Sequence, residues 1–216
     1  MSKSNTLFGQ LNEPKTPVGV QFDARVWRDK CLSQQEAVML AQSLLSKEGD
    51  IISQNREHTD DGGTGMGETS LNAKFRAYNM FEWDNPECSQ IKYAIKYAIA
   101  EMYPDFKEKL YGRMWGSILR RGQALKPHQH NFDEYSFLSA QVVLQSEKTS
   151  TFYQNPFGID AQKFEDEVGT LTIFPEYLLH WTDQHKNSIV PRIALGVDIL
   201  TESALDDEQK QKLVEL

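Results

Sequence analysis

The sequence predicts a mainly β fold with N-terminal helices, an α+β chain whose core is a double-sheet jelly roll. From Tyr111 onward, short apolar segments alternate with turn-rich stretches, and no helical pattern lies between them. That texture argues against parallel βαβ units and for an antiparallel sandwich. Before Tyr111, two apolar stripes at helical spacing sit where helices would buttress one face of a sheet. Aromatic content of 11%, with 11 Phe, 8 Tyr and 4 Trp, suits a β-rich interior.

The first helix is announced by Ser33-Gln-Gln-Glu36, a capping box in which a Glu follows a Ser by three residues. Val38, Leu40, Ala41, Leu44 and Leu45 then form one apolar stripe, and Gly49 is the expected stop. The second helix opens at Asn85-Pro86, a cap followed by proline in the first turn. Ile91, Ala94, Ile95, Ala98, Ile99 and Met102 carry its stripe, and Pro104 ends it. Between the helices, residues 60–69 hold four glycines. They resemble a phosphate loop only superficially, because no Gly-Lys-Ser/Thr follows and no strand precedes. The segment reads as a flexible surface loop, with a lid over an active site as the functional alternative. Expected strands are 113–120, 125–130, 137–144, 151–153, 169–174 and 192–200, with a turn at 155–158. The tail from Ser203 reads as a short charged amphipathic helix, a surface on which a second copy could pack to give a homo-oligomer. The whole is one domain, 1–216: a helix-rich buttress over 1–110, a jelly-roll core over 111–200 and a C-terminal helix over 201–216.

The 23 basic residues against 31 acidic ones give a formal charge of -8. Such a balance argues against sequence-independent nucleic-acid binding and against an anionic membrane surface. Cys31 and Cys88 form no C-x-x-C pair, so no disulfide framework is implied and a reducing cytosol is the simpler setting. The N-terminus lacks a signal-peptide run, and no apolar stretch approaches the roughly 20 residues of a spanning helix. A soluble, cytoplasmic protein is expected.

The chemistry concentrates in the histidines. His128 and His130 flank Gln129, and side chains at i and i+2 of a strand share a face. Two imidazoles can therefore aim at one point. His180, reached through the strand-like run from Gly169 to Pro175, offers a third from a distant segment. Imidazole suits iron, zinc, copper and nickel, and a facial set of three ligands leaves iron open positions. Asp133 and Glu134 follow closely and read either as turn residues or as the carboxylate of a two-histidine, one-carboxylate site. Arg192 opens an otherwise apolar strand. A buried arginine needs a partner, and both a protein carboxylate and a ligand carboxylate match its fork. The leftover histidines, His58 and His185, read as solvent-facing.

These residues, taken as an ordered series, resemble the Fe(II)/2-oxoglutarate-dependent oxygenases, in particular a bacterial and phage group of them. The series runs from Trp115-Gly-Ser-Ile-Leu-Arg120 through His128-Gln-His130, Leu138-Ser139 and Phe152-Tyr-Gln-Asn-Pro156. It continues with Gly169 to Pro175, His180 and Arg192, and covers roughly residues 71–200. The resemblance implies a double-stranded β-helix, a cupin-like jelly roll holding Fe(II), with 2-oxoglutarate as cosubstrate chelating the metal. It implies that Arg192 holds the far carboxylate of 2-oxoglutarate, and that a small-molecule or peptide substrate is hydroxylated with O2 as succinate and CO2 are released. No catalytic residue beyond the metal ligands is implied. One departure stands out: most of the superfamily places an acid where this chain has His130. Three outcomes are open. His130 ligates and makes a three-histidine face; Asp133 or Glu134 moves in and His130 steps back; or the site binds iron weakly. Three neutral ligands carry one negative charge less, which weakens Fe(II) binding. Because imidazole must be neutral to ligate, activity is expected to fall below about pH 6.5.

A rival resemblance is to the cupins. Gly122, His128, His130, Glu134, Gly169, Pro175 and His180 fit their two motifs, with departures at Gln141, Tyr177 and Gln184. A cupin would bind metal through His128, His130, Glu134 and His180 and need no 2-oxoglutarate. A jelly roll that only binds a ligand, without catalysis, is the third reading. Arg192 and the match upstream of Gly122 favour the oxygenase.

Overall fold

The computed structural model describes residues 4–10, 16–17, 23–130, 135–154 and 160–216. The turn expected at 155–158 and the acids Asp133 and Glu134 lie outside the described residues. The strands are β1 (Ser4–Gln10), β2 (Asp23–Lys30), β3 (Leu110–Leu119), β4 (Leu138–Gln145) and β5 (Ser150–Gln154). They continue as β6 (Ala161–Glu165), β7 (Thr170–Pro175), β8 (Leu179–Thr182), β9 (Arg192–Thr201) and β10 (Val214–Glu215). The helices are α1 (Gln34–Gln54), α2 (Pro86–Met102) and α3 (Asp207–Gln211). All pairings are antiparallel and build a seven-stranded sheet, β1-β2-β7-β4-β9-β3-β10, and a three-stranded sheet, β6-β5-β8. The chain is thus mainly β and jelly-roll-like. No described helix is long and apolar enough to cross a membrane.

The larger sheet has two chemically different faces because side chains alternate along each strand. On one face Leu138, Ala140, Val142 and Leu144 of β4 meet Ile193, Leu195, Val197 and Ile199 of β9, and α1 and α2 cover them through Leu40, Leu44, Ile91 and Ile95. Each of these helix side chains is fully buried, worth about 1.5–3 kcal/mol of transfer free energy apiece. The contact is close: a Cβ on Gly116 of β3 would sit 2.4 Å from Leu44 Cδ2. On the opposite face β9 presents Arg192, Ala194, Gly196 and Asp198, which lie across from Leu119, Ser117, Trp115 and Arg113 of β3. Gly196 is required there, since a Cβ would meet the Trp115 indole at 2.6 Å.

Several elements depart from the sequence reading. The capping box forms as expected, with Ser33 and Glu36 each accepting from the other's backbone N–H. Yet α1 runs through Gly49 to Gln54, because Ile51 continues the buried stripe and Asn55 closes the last turn by donating to the Ile51 carbonyl. Gly49 faces open space, so its cost of about 1 kcal/mol is outweighed. The region 1–110 is not only helical: β1 and β2 extend the larger sheet. Asp23–Lys30 is rich in charge, and its apolar residues are split between faces, with Ala24 and Val26 on one side and Trp27 on the other. The segment 125–130 makes a single bridge rather than a full strand, because Pro127 has no N–H to give a ladder. The C-terminal helix is one short turn of capped α3. Beyond it the chain folds back, Val214–Glu215 pairs with β3, and Leu216 packs over Gly112.

Candidate metal centre

The bridge at His128 sets the site. His128 N–H donates to the His180 carbonyl (3.1 Å) and His180 N–H to the His128 carbonyl (2.9 Å), so the two residues stand directly opposite. Two residues on, His130 N–H donates to the Glu176 carbonyl at 3.0 Å. The side-chain ligand atoms of His128, His130 and His180 all lie within 4.8 Å of one another. Sequence spacing predicted this convergence, and the structure brings the three together from the 123–130 segment and β8.

Each ring is oriented by its second nitrogen. Nδ1 of His128 lies 2.8 Å from the Lys126 carbonyl, and Nδ1 of His180 lies 2.9 Å from the Leu178 carbonyl. A carbonyl only accepts, so these contacts place hydrogen on Nδ1 and leave the Nε2 lone pairs for a metal. His130 is held differently: Nδ1 lies 2.7 Å from the Asp198 carboxylate and 2.9 Å from Ser139 Oγ. Asp198 was missed from the sequence, although it shares the Arg192 face of β9 by strand periodicity. Its carboxylate places a negative charge one ring away from the histidine cluster.

Electrostatics favour the neutral form, the one able to bind a metal, at His128 and His180. Burial pushes His128 down to about 4, and the neighbouring His130 adds to the effect. Burial, then His128 and His130, holds His180 well below the ordinary histidine value. These two rings therefore stay neutral to more acidic conditions than the ordinary value of about 6.5 on which the expected fall in activity rests.

Arg192 is fully buried, and its partner is a protein acid. Nε donates to Asp166 at 2.6 Å, and Nη2 donates to Thr151 Oγ1 at 3.2 Å. Thr151 in turn donates to Asp166 at 3.0 Å. Of the two partners that its fork matches, the structure shows the protein carboxylate, Asp166. A guanidinium carries about five N–H donors, so the pair with Asp166 leaves others for a second acceptor. Arg192, Gln141 and the three histidines line one cavity of about 310 Å³.

The remaining candidates separate cleanly. His185 is not solvent-facing. It is fully buried, with Nδ1 2.9 Å from Thr149 Oγ1 and Nε2 2.7 Å from the Val190 carbonyl, and it braces the turn toward Arg192. His58 is half-exposed beside Glu57. The glycine-rich segment is a surface loop, with Gly62, Gly63, Gly65 and Gly67 exposed, and it also borders the cavity. Thr64 accepts from Lys126 N–H at 2.8 Å, and Asp61, Gly62 and Thr64 line the cavity. Gly62, Gly63, Gly65 and Gly67 all have φ between 67° and 82°, a backbone that accounts for four glycines without invoking phosphate. Cys31 and Cys88 are free and buried, and burial raises both thiols to about 12, which leaves them inert.

No family model and no curated protein matches the sequence. Solved structures do. A viral collagen prolyl hydroxylase from Paramecium bursaria Chlorella virus-1, in complex with 2-oxoglutarate, has a TM-score of 0.54 at 13% identity, covering 82% of this chain and 96% of that one. A Pseudomonas putida prolyl-4-hydroxylase has a TM-score of 0.52 at 14% identity over 82% and 92%. The non-heme α-ketoglutarate-dependent epimerase SnoN of nogalamycin biosynthesis has a TM-score of 0.52 at 12% identity over 82% and 78%. The chain shares its fold with these two prolyl hydroxylases and this α-ketoglutarate-dependent epimerase.

Proposed function

We propose that the chain is an Fe(II)- and 2-oxoglutarate-dependent oxygenase that hydroxylates an organic substrate. In this reading its two sheets are the two halves of a double-stranded β-helix. The observation that carries the proposal is the convergence of three imidazoles, each with Nδ1 already engaged, in one cavity with a buried arginine. Three nitrogen donors on one side of a cavity suit iron with positions left open. Bound there, iron with 2-oxoglutarate supplies O2 activation coupled to oxidative loss of CO2, so that one oxygen atom enters succinate and the other the substrate C–H.

The protein's own groups prepare that chemistry. His128 and His180 present lone pairs from a backbone-braced pair. Asp198 holds the Nδ1 proton of His130 and strengthens that ring as a donor. Arg192, steadied by Asp166, offers its remaining N–H groups to the distal carboxylate of 2-oxoglutarate. Trp115 and Phe174 exclude water around the histidines, with ring centroids 5.7 Å and 6.5 Å from His130.

The test is anaerobic addition of Fe(II) and then 2-oxoglutarate. A visible charge-transfer band that is lost in Arg192→Gln is the expected result. Metal binding with no response to 2-oxoglutarate would leave a metalloprotein of the cupin type, and no metal binding would reject the enzyme reading.

A further inference from the structure

The cavity contains more cationic groups than the metal and cosubstrate require. Arg113 and Arg76 both line it, and among the described residues neither forms a hydrogen bond or an ion pair with an acid. Arg113 is half-buried on β3, directly across from Asp198, whose charge favours the guanidinium but whose hydrogen-bonded oxygen, Oδ1, is on His130. The other acid on the wall, Asp61, is turned into its own loop, where it accepts from Gly63 N–H at 3.1 Å and Gly67 N–H at 2.8 Å. A half-buried guanidinium with a facing carboxylate but no hydrogen bond to it is incompletely compensated, and more so beside a second cation. These two sit on a chain whose net charge is -8, so the positive patch is local.

The two arginines also stand at a defined place relative to the histidines. The Trp115 ring lies 5.7 Å from His130, the Phe75 ring 5.5 Å from Trp115, and the Arg76 guanidinium 4.9 Å over Phe75. Arg113 is two residues from Trp115 on the same face of β3, about 7 Å along the strand. An aromatic floor therefore runs from the metal centre to a pair of forked cations. Arg192 lies on the other side, opposite Leu119 at the far end of β3.

We propose that this wall binds the primary substrate, a small organic acid. Arg113 and Arg76 hold its carboxylate or phosphate, and Trp115 and Phe75 hold its apolar body with a C–H toward the histidines. The proposal rests on the oxygenase reading for the reaction and on the arginine pair for the substrate class. Guanidinium forks match planar oxyanions in two-point fashion, and aromatic faces accept an apolar or planar body.

The experiment is calorimetric titration of the metal-loaded protein, with saturating 2-oxoglutarate present, using benzoate, phenyl phosphate and the neutral isostere benzamide. At least one acid should bind about tenfold or more tighter than benzamide, and Arg113→Gln and Arg76→Gln should each erase most of that preference. The 2-oxoglutarate band should persist in both variants. Equal binding of acid and amide, or acid binding indifferent to both substitutions, overturns the proposal. So does loss of the 2-oxoglutarate band in Arg113→Gln, which would make Arg113 the cosubstrate anchor. Arg76 is exposed, so its variant reads binding without a folding risk. Arginine-dependent acid binding by a protein that never responds to 2-oxoglutarate would keep the anion site and reject the oxygenase.

Discussion

The two faces of β9 set the fold against the site. Ile193, Leu195, Val197 and Ile199 point into a core closed by two helices, while Arg192, Gly196 and Asp198 point into the cavity. The first set is apolar, mutually redundant and held by packing. The second has no redundancy: Arg192 is matched to Asp166, Asp198 to His130, and Gly196 to the Trp115 ring. A single strand thus separates stability from chemistry by the parity of its residues.

The contrast is hardest to sustain at Arg192, where a cavity-face residue is also buried. Asp166→Ala leaves a desolvated guanidinium without its acid and should cost about 3–5 kcal/mol, read as a drop in the urea midpoint. If the midpoint stays put, the pair is not the buried one described. Neighbouring residues give the cleanest comparison. Ile199→Ala should lower stability by about 2–5 kcal/mol while metal affinity, measured on the folded protein, is kept. Asp198→Asn should do the reverse: stability barely moves, and affinity for Fe(II) falls about 10–100-fold. Equal effects from the two substitutions would erase the distinction between the faces.

The pH dependence is the smallest and most diffuse effect. His128 and His180 have folded values below the unfolded value of about 6.5, so the unfolded chain takes up protons first as pH falls. Their contribution is fully present above about pH 6.5. It is lost as pH drops through the interval down to about 4 for His128, and is exhausted below that value. Urea midpoints of the metal-free protein should decline from pH 7 to pH 5, and His180→Gln should flatten part of that decline. A midpoint independent of pH across that range would contradict the desolvation of the two rings.

How much of this was legible in the sequence follows the same division. The core face was readable because apolar periodicity is a summed signal: the stripes of α1 and α2 and most strands from 110 to 201 stood out. The edges were not. β2 divides few apolar residues between two faces, and β6 is an exposed edge with almost no hydrophobic signal. Gly49 failed as a helix stop because one residue's propensity is weaker than the burial of Ile51. At the site, His128, His130 and His180 were readable because histidine is scarce here, with five in the chain, and because the period of a strand aligns the first two. His185 was misread for the opposite reason, since nothing in the local pattern marks an imidazole buried by a distant Thr149 and the Val190 carbonyl five residues on. Asp198 and Asp166 went unread because their roles depend on which residues they face across the fold. The signal for Asp198 was present, six residues after Arg192 on one face of one strand, but an acid in a strand names no partner.

The position that separates this centre from most of the Fe(II)/2-oxoglutarate-dependent oxygenases it resembles is His130, and its role in the metal set is directly observable. A crystal structure of the anaerobic Fe(II)-loaded protein should place Nε2 of His128, His130 and His180 all at bonding distance from one iron, with Asp198 still on Nδ1 of His130. An iron held by His128 and His180 with Asp133 or Glu134 in the third position, and His130 turned away, would contradict the account.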